Sequence, residues 1–167
     1  MELPEFNFLT EKSILKLKCI DIVEPNNGRM LYKVDLFLNN KNVTEEYFGK
    51  WNYINFYLTQ YSPNNNDWIY IPKEGEHFLI KISTLEKVEL PYIPLSAATF
   101  IKNIFVHDYL IILCSDQIIF KNLINETVIK IDKGEKDAYF NELSILDSGK
   151  IEIILNDKSS KIISLNI

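Results

Sequence analysis

Short apolar runs separated by polar turns recur along the whole chain, and they repeat at a spacing of about 40 residues. The segment Phe100–Ile131 shows the pattern most regularly, with four short runs and tight turns between them. Its turn His107-Asp108 has counterparts one repeat earlier, at Asn66-Asp67, and one repeat later, at Ser148-Gly149. A weaker copy lies upstream, because Pro25 to Tyr32 resembles Pro63 to Tyr70 at a slightly shorter offset. The chain is therefore predicted to contain four copies of one β-rich unit.

Three or four strands are predicted in each copy. The predicted strands are Ile14–Val23, Met30–Leu38 and Val43–Phe48 in the first copy; Tyr53–Tyr61, Trp68–Pro72, His77–Ser83 and Lys87–Leu90 in the second; Phe100–Val106, Tyr109–Cys114, Gln117–Lys121 and Thr127–Ile131 in the third; and Tyr139–Leu146, Ile151–Asn156 and Lys161–Leu165 in the fourth. The fourth copy lacks a last strand, which we predict is supplied by Phe6–Leu9. A short helical turn is predicted at Glu45–Gly49.

This organisation predicts a single all-β, antiparallel domain spanning residues 1–167. A period of about 40 residues with four strands per unit is typical of a β-propeller blade, so the fold is predicted to be a small or incomplete β-propeller. The run Leu110–Leu113 is apolar on both strand faces, which favours a sheet covered on both sides. The alternative fold is a β-sandwich with regularly spaced hairpins.

Charge and composition then restrict the function and the compartment. The net charge is −5 and the pI is about 5.1, which disfavours binding to nucleic acid and favours a basic partner. The longest apolar run, Tyr109–Cys114, is too short to span a bilayer, and the N-terminal residues do not resemble a signal peptide. Cys19 and Cys114 are interpreted as buried thiols of a cytoplasmic protein, with a bridge between them left open.

Catalytic and metal-binding motifs are absent from the sequence, so we predict a protein without catalytic residues, bound metal or cofactor. His77 and His107 have no ligand-spaced Cys or His beside them and are interpreted as turn or surface residues. The acidic segments Glu74–His77 and Asp132–Asp137 do not match a calcium-binding loop and are interpreted as solvated turns.

An aromatic segment between Tyr47 and Tyr70 is the best candidate for a binding surface. On the predicted strand Tyr53–Tyr61, alternation places Tyr53, Tyr57 and Tyr61 on one face. Exposed Tyr and Trp give a large contact area at a low entropic cost, which suits a protein partner, and stacked sugars are a further interpretation. The alternative is that this face packs against a neighbouring repeat. The predicted partner-binding residues are Trp51, Tyr53, Tyr57, Tyr61, Glu45, Glu46, Glu74 and Glu76.

Three functions follow as hypotheses. The first is a non-enzymatic protein-binding domain, such as an immunity protein that neutralises a bacterial toxin by covering a basic surface. The second is a module that binds a small ligand or carbohydrate, or an enzyme, with a site at the propeller centre. The third is a structural domain that associates with copies of itself through the tyrosine face.

Overall fold

The computed structural model describes residues 2–9, 13–23, 30–62, 67–73, 75–93, 99–135, 138–146 and 149–165, and within these ranges the protein is almost entirely antiparallel β-structure. The chain divides into an N-terminal unit, Met1–Ser96, and a C-terminal unit, Ala97–Ile167, and each contains two sheets. The prediction of a single domain over residues 1–167 stays a prediction. None of the helices within the described ranges is long and apolar enough to cross a membrane.

The first sheet of the N-terminal unit is built on two long strands. Its elements are β1 (Glu5–Leu9), β2 (Ile14–Val23), β3 (Leu31–Leu38), β4 (Lys41–Asn42), the helix α1 (Thr44–Phe48) that follows β4, and β5 (Tyr53–Ile54). The strand order is β1-β2-β3-β4, and β5 also pairs with β3. Alternate residues of β2 and β3, such as Leu17 and Val34, are fully buried, because successive side chains of a strand point to opposite faces. One face of this sheet therefore supplies core residues.

Two predictions for this sheet are wrong. The segment Val43–Phe48 forms α1 and not a strand, although the helical turn predicted at Glu45–Gly49 is confirmed. Thr44, Tyr47 and Phe48 are buried along one side of that helix. The predicted strand Phe6–Leu9 does exist within β1, but it pairs with β2 and does not complete the fourth copy.

The second sheet completes the core of the N-terminal unit. It follows a 3-10 turn (Phe56–Leu58) and contains β6 (Gln60–Tyr61), β7 (Trp68–Ile71), β8 (Phe78–Lys81) and β9 (Glu86–Glu89), paired in chain order. All four residues of β7 are buried. Ile69, Ile71 and Phe78 join residues of the first sheet, such as Leu17 and Val34, in one apolar cluster.

In the C-terminal unit the third and fourth copies form separate sheets. The third copy gives β10 (Phe100–Val106), β11 (Tyr109–Cys114), β12 (Gln117–Asn122) and β13 (Val128–Asp132), and the fourth gives β14 (Phe140–Ile145), β15 (Lys150–Leu155) and β16 (Ser160–Ser164). Every residue of β11 is buried, which explains why its sequence is apolar without alternation. The edge strands β13 and β16 are mostly exposed.

The four successive sheets confirm the predicted all-β, antiparallel fold with about four repeats. The predicted strand Tyr53–Tyr61, in contrast, is wrong. Its first two residues pair with β3 in the first sheet, its last two pair with β7 in the second sheet, and the 3-10 turn separates them. The chain passes from one sheet to the next within this segment, so a single alternating face cannot form.

Candidate binding site in the N-terminal unit

A patch of apolar and aromatic side chains lies on the outward face of the first sheet, opposite the core. Tyr53 pairs with Lys33, and Val23 pairs with Leu31. The register shift between Cys19 and Asp21 sets which residues of β2 share this face, since a bulge changes the alternation. The neighbouring residues Tyr32 and Ile54 are buried in the core, so Tyr53, Leu31 and Val23 point away from it.

A cavity of about 480 Å³ opens on this face, and among the residues that the structure describes it is lined by Val23, Leu31, Trp51, Tyr53, Lys73 and Glu76. Trp51 is 70% exposed, and its ring centroid lies 6.1 Å from that of Tyr53 at an interplanar angle of 46°. The volume falls within the range of small-molecule sites, which are concave and mainly apolar with a few polar groups. We refer to it as the Trp51 cavity.

The polar wall of the Trp51 cavity is an ion pair with one buried member. The Nζ of Lys73 donates to the Phe48 carbonyl oxygen at 3.1 Å and to Oε2 of Glu76. Because Phe48 is the last residue of α1, Lys73 connects the helix to the cavity. The hydrogen bond and charge of Lys73 lower the pKa of Glu76, so this carboxylate is ionised at neutral pH. The pair compensates the buried ammonium charge and leaves the Glu76 carboxylate largely exposed.

A second, smaller cavity of about 230 Å³ shares Glu76 with the first, and its other lining residues are Gly75, His77, Lys87, Glu89, Leu90 and Tyr92. Tyr92 is 73% exposed, and its ring lies against the backbone of Gly75. A Cβ at Gly75 would lie only 2.6 Å from Cε2 of Tyr92, and the φ of +71° also favours glycine. We refer to it as the Tyr92 cavity.

His77 forms the buried floor beneath the Tyr92 cavity and is only 1% exposed. Its Nε2 lies 2.8 Å from the Ile93 carbonyl oxygen, which can only accept, so Nε2 carries the proton. Nδ1 then accepts from the Tyr70 hydroxyl. Burial lowers the pKa of His77 from 6.5 to about 4, so the ring is neutral at pH 7. The prediction of a turn or surface histidine is wrong for His77 and confirmed for His107, which is exposed in a turn.

Three of the predicted partner-binding residues, Trp51, Tyr53 and Glu76, are brought together around the Trp51 cavity. Glu45 and Glu46 are exposed in the first turn of α1. The structure thus places five of the eight predicted residues at the cavity or on the helix that Lys73 connects to it.

The remaining predicted residues do not join this group. Tyr57 is exposed, but its ring packs edge-on against Tyr32, a core-face residue, at 5.4 Å. Tyr57 and Tyr53 therefore belong to opposite faces, because the 3-10 turn interrupts the alternation. Glu74 and the side chain of Tyr61 lie outside the described part of the chain.

Sequence reasoning missed Lys73, Tyr92 and the apolar wall formed by Val23 and Leu31. The spacing of Lys73 and Glu76 around Gly75 could have indicated an ion pair across a tight turn. Nothing local marks Val23 and Leu31 as cavity residues, because their proximity to Trp51 depends on strand pairing.

Comparisons with known proteins give no family assignment. No family model matches the chain, and no curated protein matches it. Among solved structures, the chain is similar to the extracellular domain of a one-component system from B. thetaiotaomicron, with 8% identity, a TM-score of 0.48, and coverage of 86% of this chain and 20% of that one. It is also similar to a streptogramin B lyase, with 14% identity, a TM-score of 0.43, and coverage of 93% and 62%. The chain spans less than two thirds of the length of either structure.

The two tryptophans differ in exposure, which allows a direct test of the site. Trp51 is 70% exposed and Trp68 is 2% exposed, so acrylamide is expected to quench only the Trp51 fraction of the intrinsic fluorescence. In Trp51→Phe the remaining fluorescence should resist quenching. Steady-state quenching titrations measure this difference. Strong quenching that persists in Trp51→Phe would contradict the burial of Trp68.

Proposed function

We propose that the chain is a non-enzymatic binding protein that holds a protein partner around Trp51. The observation that supports the proposal is a 70% exposed tryptophan at the mouth of an apolar cavity, beside Tyr53 and Glu76. Exposed Trp and Tyr next to a concave apolar surface are typical of the centre of a protein interface, where a few anchors supply most of the affinity.

The acidic groups near this surface favour a partner with a basic face. Glu45 and Glu46 are exposed on α1, Glu76 is exposed at the cavity, and the whole chain has a net charge of −5. Complementary charge accelerates association and selects among partners more than it adds affinity. An immunity protein that covers the basic surface of a bacterial toxin is one function of this kind. Cys19 and Cys114 are both buried thiols, which suits a reducing compartment, and we propose the cytoplasm as the place of this complex.

Truncation of Trp51 is expected to weaken such a complex strongly. Trp51→Ala should raise the Kd by about thirtyfold or more, equivalent to about 2 kcal/mol, since it removes the central anchor. The double variant Glu45→Gln, Glu46→Gln should mainly slow association and reduce its salt dependence. Isothermal titration and stopped-flow mixing against the purified products of neighbouring genes measure both effects.

The matched control is Tyr139→Ala, because Tyr139 is an exposed aromatic residue of the other unit, at 52% exposure. This variant should bind as tightly as the unmodified protein. If no neighbouring gene product binds, or if Tyr139→Ala weakens binding as much as Trp51→Ala does, the proposed interface is wrong.

The concave shape of the site favours a second candidate function, a module that binds a small ligand or carbohydrate. A flat interface would need no cavity, whereas the Trp51 cavity of about 480 Å³ combines apolar walls with a donor and an acceptor. The third hypothesis, self-association through one tyrosine face, has less support, because Tyr53 and Tyr57 lie on opposite faces.

A further inference from the structure

We infer that the Trp51 cavity and the Tyr92 cavity are adjoining subsites for one uncharged oligosaccharide. This inference rests on the second candidate function and specifies its ligand. Glu76 lines both cavities, so a ligand that fills the first and extends past this carboxylate enters the second. The volumes of the two cavities are about 480 Å³ and 230 Å³. These volumes suit an oligosaccharide that makes most of its contacts in the Trp51 cavity.

The charges around the two cavities are already paired. Lys73 pairs with Glu76, and Nζ of Lys87 lies 3.3 Å from Oε1 of Glu89, so the charged groups among the described lining residues sum to zero. An anionic ligand would lie close to the exposed carboxylate of Glu76, and a cationic ligand would lie close to the ammonium group of Lys73, so a like-charge contact offsets the attraction to the other member of the pair. Displacing either member instead would break a pair that has a buried ammonium group, which is costly. Inside the two cavities the pairing therefore selects against charged ligands, whereas Glu45 and Glu46 lie on α1 and not among the described lining residues.

An uncharged polyhydroxylated ligand can use the hydrogen-bonding capacity that the ion pairs leave. An ammonium group has three donors, and within the described part of the chain Lys73 uses two of them, on Phe48 and on Glu76. A carboxylate has about four acceptor positions, of which Lys73 occupies one on Glu76. Sugar hydroxyls both donate and accept, so they match a site that presents both kinds of group side by side.

Each cavity also has a highly exposed aromatic ring, Trp51 at 70% and Tyr92 at 73%. Sugar rings present apolar C–H faces that pack against aromatic rings, and indole and phenol provide a polar edge as well. Tyr53, Val23 and Leu31 extend the apolar surface in the first cavity. Each of the two cavities that share Glu76 therefore offers one exposed ring, which suits successive sugar residues of a linear oligosaccharide.

The test compares the affinities of ligands that differ in length and charge, measured by isothermal titration. Protection of Trp51 from acrylamide quenching is the second readout. The neutral probes are cello-, xylo-, malto- and chito-oligosaccharides, each as the disaccharide and the hexasaccharide, at up to about 10 mM, well above a millimolar Kd. The charged probes are a sulfated heparin hexasaccharide and hexalysine. At least one neutral hexasaccharide is expected to bind more tightly than its disaccharide and to protect Trp51.

The variants separate the two subsites. Trp51→Ala should weaken the disaccharide and the hexasaccharide by about tenfold each, whereas Tyr92→Ala should weaken the hexasaccharide alone. Both residues are highly exposed, so thermal melts should show that both variants remain folded. Tyr139→Ala, in the other unit, should bind like the unmodified protein.

The inference would be overturned if no neutral hexasaccharide binds, or if hexalysine or the heparin hexasaccharide binds more tightly than the neutral hexasaccharides. It would also be overturned if the disaccharide and the hexasaccharide bind with equal affinity and Tyr92→Ala has no effect. The failures of the two proposals are distinguishable. If a neighbouring gene product binds through Trp51 while no sugar does, the protein-binding proposal stands and this inference fails. If a sugar binds and no neighbouring gene product does, the oligosaccharide inference stands and the protein-binding proposal fails.

Discussion

Replacement of Ile111 by alanine is expected to lower the free energy of unfolding of the C-terminal unit by about 2–5 kcal/mol. Ile111 is fully buried in β11, between its cross-strand neighbours Ile104 on β10 and Phe120 on β12. It belongs to the apolar cluster that joins the third and fourth sheets, together with Leu143 and Ile153. Truncation removes buried apolar surface and leaves a cavity that these rigid strands cannot close fully. Urea unfolding followed by circular dichroism measures the loss.

Ile129→Ala is the matched control, because it changes the same residue type in the same sheet. Ile129 lies on the edge strand β13, opposite Phe120, and is 52% exposed. Its truncation is expected to cost less than about 1 kcal/mol, mainly through lower β-propensity. Equal losses in the two variants would show that β11 is not the buried centre of this sheet.

The burial of β11 could be predicted from the sequence because the signal is local. A strand covered on both faces needs apolar residues at every position, and Leu110–Leu113 has them. The turns on either side, at His107-Asp108 and Ser115-Asp116, fix its length. For the same reason the observed strands of the third copy lie within a residue of their predicted limits.

The strand predicted over Tyr53–Tyr61 failed because aromatic residues favour strands wherever they occur. The pattern contains no sign that Tyr53 and Gln60 pair with different sheets. The same limit applies to β1. Its residues predict a strand, but the alternation of apolar and polar residues does not say which strand it pairs with, and the structure pairs it with β2.

The candidate site was predictable only in part. Aromatic and acidic residues are recognisable as candidate binding residues from their type alone, so Trp51, Tyr53 and Glu76 could be predicted from the sequence. The cavity beside them could not, since it depends on a β-bulge in β2 and on the buried ammonium group of Lys73. A lysine in a turn is expected to be solvated, and only its pairing with Phe48 and Glu76 explains its burial.

Acidification from pH 6.5 to pH 4 is expected to lower the stability of the N-terminal unit by about 3 kcal/mol through His77 alone. Burial lowers the pKa of this ring to about 4 in the folded protein, against 6.5 for an unperturbed histidine. Between these two values the unfolded chain binds a proton that the folded protein does not. The contribution of His77 to the free energy of unfolding is therefore complete above pH 6.5, decreases as the pH falls, and is lost at about pH 4.

His77→Gln removes the titration while keeping a side chain that has both a donor and an acceptor, the two roles that His77 fills toward the Ile93 carbonyl oxygen and the Tyr70 hydroxyl. The variant should be less stable than the unmodified protein at pH 7, because its geometry cannot reproduce both bonds, but its stability should fall less between pH 6.5 and pH 4. His107→Gln is the matched control, since His107 is exposed, and it should keep the full pH dependence. The carboxylates are the same in all three proteins, so they contribute equally to the change of stability with pH. The difference in this change between the two variants is therefore due to the buried ring of His77. Urea midpoints at half-unit pH intervals give the slopes, and identical slopes for both variants would show that His77 is not the group responsible.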